Sequence, residues 1–303
     1  MTENKFNIKD TILAVDINEA TQAVKENRFK DAIKLLEINL IEHPDHIDSL
    51  YLAGVCSRYL KEFDDAIKYI ESLLVHAPDM GRAYQELAHI NRDMGNEEKS
   101  ISNYRQACEL NPALISSWMS LYEYFKKNNN KPALDHATEQ INKLKSLPNM
   151  LLYIDQVMNE GRLGVAELKC REFLKKNPTH TYAMSQLSEI ANRLGHFDDA
   201  ELLLEKAVQF NPDDGELRMK YALVLRKKQK FAKTMEQVNI LCDKYPDNLA
   251  YQAQKASEIM QNGQHEDAID LFDDILSKNP HNFSTFTSKG HALKTLGKTD
   301  DAI

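Results

Sequence analysis

Thr181–Pro212 reads TYAMSQLSEIANRLGHFDDAELLLEKAVQFNP. Gly195 falls where a first helix must end, because a residue at φ > 0 lets the chain turn without steric cost. The acidic pair Asp198-Asp199 then opens a second helix, where negative charge suits the macrodipole. Leu204, Ala207 and Val208 keep helical spacing along it, and Asn211-Pro212 stops it. The phrase recurs. Prolines stand at Pro44, Pro78 and Pro112 and again at Pro178, Pro212, Pro246 and Pro280, with a spacing of 34 residues within each run. The gap from Pro112 to Pro178 is 66 residues, two repeats less two residues. A fixed period of this length marks a solenoid of stacked helical hairpins.

With each proline counted as position 32, repeats begin at Leu13, Ile47, Gly81, Ile115, Leu147, Thr181, Gly215, Leu249 and Phe283. Position 20 holds Ala32, Ala66, Ala166, Ala200, Ala268 and Ala302, with Ser100 and Thr234 as small substitutes; in repeat four Ala133 is displaced by one. Position 8 is also small, at Ala20, Gly54, Ala88, Ser188, Ala222, Ala256 and Gly290. Helix axes that cross at about 8–10 Å need small side chains at the crossing, so this pattern is a packing requirement. On these residues the chain resembles tetratricopeptide-repeat proteins from Leu13 to Ile303, after an N-terminal segment of residues 1–12. The resemblance implies an all-α, right-handed superhelical solenoid with eight complete helix pairs and a ninth cut short.

Composition narrows the function. The chain has 303 residues and a net charge of −8, with 46 carboxylates against 38 lysines and arginines, which argues against nucleic-acid binding. No apolar run approaches the about 20 residues of a membrane span, and MTENKFNIKD has no signal-peptide core, so a soluble, cytoplasmic protein is expected. Cys56, Cys108, Cys170 and Cys242 sit at core-facing positions without a C-x-x-C pair and read as buried free thiols. Trp118, at position 4, reads as packing, and His43 and His46 as a chance pair beside a loop proline. No Gly-rich phosphate loop, G-x-S-x-G or H-E-x-x-H occurs, so no catalytic residue, metal ligand or cofactor site is assigned.

Binding is the remaining chemistry. The resemblance implies that the first helix of each repeat lines an inner face through positions 2, 5, 6, 9, 12 and 13. Repeat three presents Arg82, Gln85, Glu86, His89, Arg92 and Asp93 there, and repeat six presents Tyr182, Ser185, Gln186, Glu189, Asn192 and Arg193. Such mixed sets can donate and accept hydrogen bonds along an extended peptide, so Arg82, Gln85, His89, Arg92, Tyr182, Gln186, Glu189 and Arg193 are candidate peptide-binding residues. The carboxylate clamp of chaperone-binding members and the position-6 asparagines of O-linked N-acetylglucosamine transferases are both missing from the sequence. Between Arg218 and Lys233 stand seven cations and no carboxylate, and Lys220, Arg226 and Lys227 fall at inner positions, a candidate patch for an anionic partner.

Two irregularities complete the reading. Repeat four is two residues short, its turn reads KKNNNKP (Lys126–Pro132), and Pro148 is expected to open the first helix of repeat five. The ninth unit stops at Ile303, one turn into its expected second helix, which suggests a fragment of a longer protein. The segments Glu216–Lys233, Pro246–Ala256 and Phe283–Ile303, with GHALKTLG at Gly290–Gly297, resemble the repeats preceding the catalytic domain in bacterial tetratricopeptide-containing sulfotransferases. That likeness implies a missing domain that uses the sulfuryl donor PAPS, with this array presenting a protein substrate to it or regulating assembly. The alternative is a free-standing adaptor that holds peptide partners.

Overall fold

The computed structural model describes residues 8–298, with side chains from residue 17 onward. Among the described residues there are seventeen α-helices and no strand. The chain divides into two compact units between Arg162 and Leu163, inside repeat five. The first contains α1 (Ile8–Lys25), α2 (Phe29–Glu42), α3 (Ile47–Tyr59), α4 (Phe63–His76), α5 (Gly81–Asp93), α6 (Glu97–Leu110), α7 (Ile115–Lys127), α8 (Lys131–Lys145) and α9 (Asn149–Asn159). The second contains α10 (Leu163–Lys176), α11 (Thr181–Arg193), α12 (Phe197–Phe210), α13 (Gly215–Lys227), α14 (Phe231–Lys244), α15 (Leu249–Gln261), α16 (His265–Lys278) and α17 (Phe283–Thr295).

Seven first helices start on the residue that the proline register gives: α3, α5, α7, α11, α13, α15 and α17. Helix α1 starts earlier, at Ile8, so part of the expected N-terminal segment belongs to it. Pro148 is the N-cap of α9, extended at φ −54°, ψ 140°, one residue outside the helix it was expected to open. The expected second helix of repeat nine, with Asp300-Asp301 and Ala302, lies outside the described residues.

Most hairpins close on their small residues. Ala66, Ala88, Ala200, Ala256 and Ala268 are fully buried. A Cβ on Gly54 would lie 2.5 Å from Ile70 Cδ1, so α3 and α4 cross where only glycine fits without displacing that side chain. Ser100, at position 20, donates to the Ala88 carbonyl at 2.9 Å, and this bond lets a serine serve where alanine is usual. Apolar residues at positions 24, 27 and 28 supply the rest of each core, as with Ile70 and Leu73 or Phe272, Ile275 and Leu276. The thiols of Cys56 and Cys108 lie in this packing, and burial pushes both up to about 12, far from nucleophilic thiolates.

His46 is not a bystander. Its Nδ1 accepts from Ser49 N at 3.2 Å and caps α3, and His180 caps α11 in the same way through Ala183 N at 3.3 Å. Asp214, Asn248 and Asn282 do this for α13, α15 and α17.

Candidate functional site

In the second unit, α11, α13 and α15 bring the two sequence-derived sets together. A cavity of about 580 Å³ is lined by Ser185, Glu189 and Asn192 of α11, by Lys220, Leu223, Arg226 and Lys227 of α13, and by Gln261 of α15, with Phe231 opening α14. Leu223 and Phe231 are 40% and 43% exposed. Exposed apolar side chains and cations therefore share one cavity, a combination that can anchor extended polypeptide.

The charges are less bare than the sequence run implies. Lys228 pairs with Asp198 and Glu201, and Lys230 reaches Glu201 at 2.6 Å. Arg226 lies 3.4 Å from Glu258, whose carboxylate is buried and accepts from Gln254 Nε2 at 2.6 Å. Lys220 lies 3.2 Å from both Glu216 and Ser185 Oγ. Lys227 donates to Asn192 Oδ1 at 3.0 Å and stands 5.9 Å above the Phe197 ring. The run lacks carboxylates in sequence, and folding supplies them from α12, α15 and the first turn of α13. Lys227, an exposed residue of the cavity lining, has an amide and a ring as its described partners.

Beside this cavity Glu189 and Arg193 pair with each other along α11 at 2.9 Å. Gln186 is buried and Tyr182 half-buried, so both support the face rather than project from it.

In the first unit the corresponding residues are largely engaged. Gln85 donates to Ser117 Oγ at 2.9 Å. His89 Nδ1 meets Tyr104 Oη at 2.7 Å, and burial together with the Arg58 and Arg92 charges pushes its imidazole down to about 4, so it is neutral at physiological pH. Glu86 is buried in an ion pair with Arg58, which also reaches Asp93 at 3.3 Å. Arg92 remains half-exposed and lies 3.3 Å from Tyr104 Oη.

Arg82 is held by its own chain. It pairs with Glu160, just past α9, and its guanidinium lies 4.8 Å from the centre of the Tyr51 ring. Helix α9 runs back across the connections that precede α3, α5 and α7. Gln156 Nε2 donates to the Ala113 carbonyl at 3.1 Å, Asn111 Nδ2 donates to the Gln156 carbonyl at 3.1 Å, and Arg162 approaches Asp48 at 3.8 Å. The sequence did not announce Glu160 as a partner for Arg82, 78 residues earlier. The available signal was the small-residue pattern: position 8 holds Tyr122 in repeat four and Ile154 in repeat five, where the other repeats carry alanine, glycine or serine.

Models of the tetratricopeptide repeat match residues 17–80, 81–114 and 186–248, together just over half of the chain. The chain belongs to the tetratricopeptide-repeat family. A curated relative, the DnaJ homolog subfamily C member 7 homolog of Dictyostelium discoideum, is 22% identical over 236 residues, covering 75% of this chain and 39% of its own length. The chain thus spans about two-fifths of that relative. Among solved structures, MamA aligns with a TM-score of 0.44 and 17% identity over 49% of this chain and 87% of its own. A structure of Naa15/Naa10 bound to HypK-THB aligns with a TM-score of 0.40 and 16% identity over 93% of this chain and 44% of its own. The fold assignment rests on the repeat models and on the helices themselves.

Proposed function

We propose that the chain is a protein-interaction scaffold whose second unit holds an extended, acidic segment of a partner polypeptide on the face of α11, α13 and α15. The observation that carries this is the cavity of about 580 Å³, where the exposed Leu223 and Phe231 lie among Lys220, Arg226 and Lys227. An aliphatic or aromatic side chain of the partner would pack on Leu223 and Phe231 and exclude water, while a flanking carboxylate meets Lys227. Asn192 holds Lys227 in place without neutralising it, whereas Lys220 is shared between Ser185 and the Glu216 carboxylate. Candidates of the first unit contribute less, because Arg82, Gln85 and His89 already bond within that unit.

The test uses a fluorescein-labelled peptide alternating glutamate with leucine, and its lysine–leucine counterpart, titrated with the full chain. The acidic peptide is expected to bind the more tightly, and Lys220→Ala with Lys227→Ala to weaken it about tenfold or more. Equal binding of both peptides, or no loss in the double variant, rejects the site.

The sulfotransferase reading is the finer alternative and is supported by the Gly290–Gly297 run and its neighbouring segments. Under it, the array raises the effective concentration of a protein substrate beside a PAPS-using domain encoded after Ile303. The gene sequence beyond Ile303 decides: a sulfotransferase domain there supports it, and a stop or another domain leaves the adaptor.

A further inference from the structure

The first unit carries a second cavity, of about 700 Å³ and opposite character, where three connections meet: His43–Asp48 before α3, Ala77–Met80 before α5, and Asn159–Arg162 after α9. Its lining carries Asp45, Asp48, Asp79 and Glu160 against one arginine, Arg162. The rim aspartates alone would be an ordinary solvated surface. Glu160 is different: its side chain is 2% exposed, Oε1 faces Arg82, and Oε2 accepts no hydrogen bond. A buried carboxylate oxygen without a donor is short of the solvation it had in water. Burial accordingly pushes the Glu160 carboxyl up from the ordinary carboxylate range.

We propose that this cleft receives a basic side chain, a lysine or arginine, from a partner polypeptide. The walls fit its two parts. Ile47, Ala77, Pro78 and Met80 offer apolar surface for the methylene stem, while Asp48, Asp79 and Glu160 receive the cationic head. The chain shows a partial version of the arrangement. The Arg162 guanidinium stands 3.8 Å from Asp48, close enough for attraction and too long for a hydrogen bond, and stays 41% exposed. An incoming guanidinium has donors enough to serve both Asp48 and the vacant lone pairs of Glu160. The site belongs to the first unit and selects for the charge opposite to that favoured by the face of α11, α13 and α15 in the second.

The test is fluorescence polarisation of a labelled peptide alternating glycine and arginine, with the full chain at low salt. Asp45→Asn, Asp48→Asn and Asp79→Asn combined should weaken binding about tenfold. Asp64→Asn, Glu98→Gln and Asp135→Asn remove the same charge from exposed positions of the same unit and should change it less than about twofold. Arg162→Ala, which removes the competing cation, should tighten it. The substituted aspartates are at least partly exposed, so each variant should keep the wild-type helical signal. Equal losses in the two triple variants, or an unchanged affinity in the cleft variant, would overturn the site and leave only attraction to an acidic surface.

Discussion

One backbone torsion recurs in every repeat. Position 15 is left-handed at Gly95, Gly161, Gly195, Gly263 and Gly297, and equally at Asn27, Lys61, Asn129 and Gln229, with φ between 53° and 84°. The glycines announced this turn in the sequence; Lys61 and Gln229 did not, because there the helices on either side impose a conformation their side chains disfavour. Lys61→Gly should therefore stabilise the protein by up to about 1 kcal/mol, and Gly195→Ala should cost about 1 kcal/mol. A Cβ on Gly195 meets nothing within 4 Å, so that loss is conformational, and thermal melts measure both. His89 gives a second prediction at this scale. Its folded pKa of about 4 lies below the usual 6.5, so below pH 6.5 the unfolded chain takes up a proton that the folded chain refuses. Its contribution is complete above pH 6.5 and is lost as the pH falls toward 4, by up to about 3 kcal/mol. His89→Gln should flatten that part of the stability–pH curve.

Helix pairs are the unit of stability. Ala200 is fully buried where α12 crosses α11, and Ala200→Leu should force the helices apart at a cost of about 1–3 kcal/mol. An unchanged circular-dichroism melt would contradict the register. Between neighbouring repeats a second contact recurs, joining position 13 of one to position 17 of the one before. Tyr59 stacks on Phe29 at 4.6 Å, Lys127 pairs with Glu97 at 2.8 Å, and Lys227 stands over Phe197 at 5.9 Å. The chemistry changes while the geometry stays, so the sequence pattern hides a contact that the repeat spacing guarantees. Repeat four departs from the scheme. With Tyr122 and Leu134 at positions 8 and 20, its core uses Ala137, buried and three residues later along α8.

At the scale of the whole molecule, a repeat protein has no single core: apart from the bonds that α9 and the turn after it make to repeats two and three, contacts are between neighbours, and stability is close to a sum of local terms. Damage at Ala200 should therefore show in hydrogen exchange as lost protection in α11 to α13, while α3 to α6 keep theirs. Uniform loss along the chain would point to one cooperative unit. The net charge of −8 also conceals two sites of opposite sign, basic around Lys227 and acidic around Glu160. Binding of charged peptides to either should weaken as salt rises through about 0.15 M, where the screening length falls to about 8 Å. A salt-independent affinity at the Lys227 site would assign binding there to Leu223 and Phe231 alone.

The sequence by itself determined the repeat length, the register, the starts of seven first helices and the small residues at most crossings. These follow from local geometry: a helix of fixed pitch, a turn of fixed length and a crossing with no room for a side chain recur wherever the same residues do. Glu160, the fate of Arg82 and the neutralising of Lys228 and Lys230 were decided only in the tertiary structure. Each joins residues from different repeats, the last through Glu201 in α12. The seven cations between Arg218 and Lys233 looked unopposed because charge pairing depends on distance in space, and α12 and α15 carry the carboxylates that answer them.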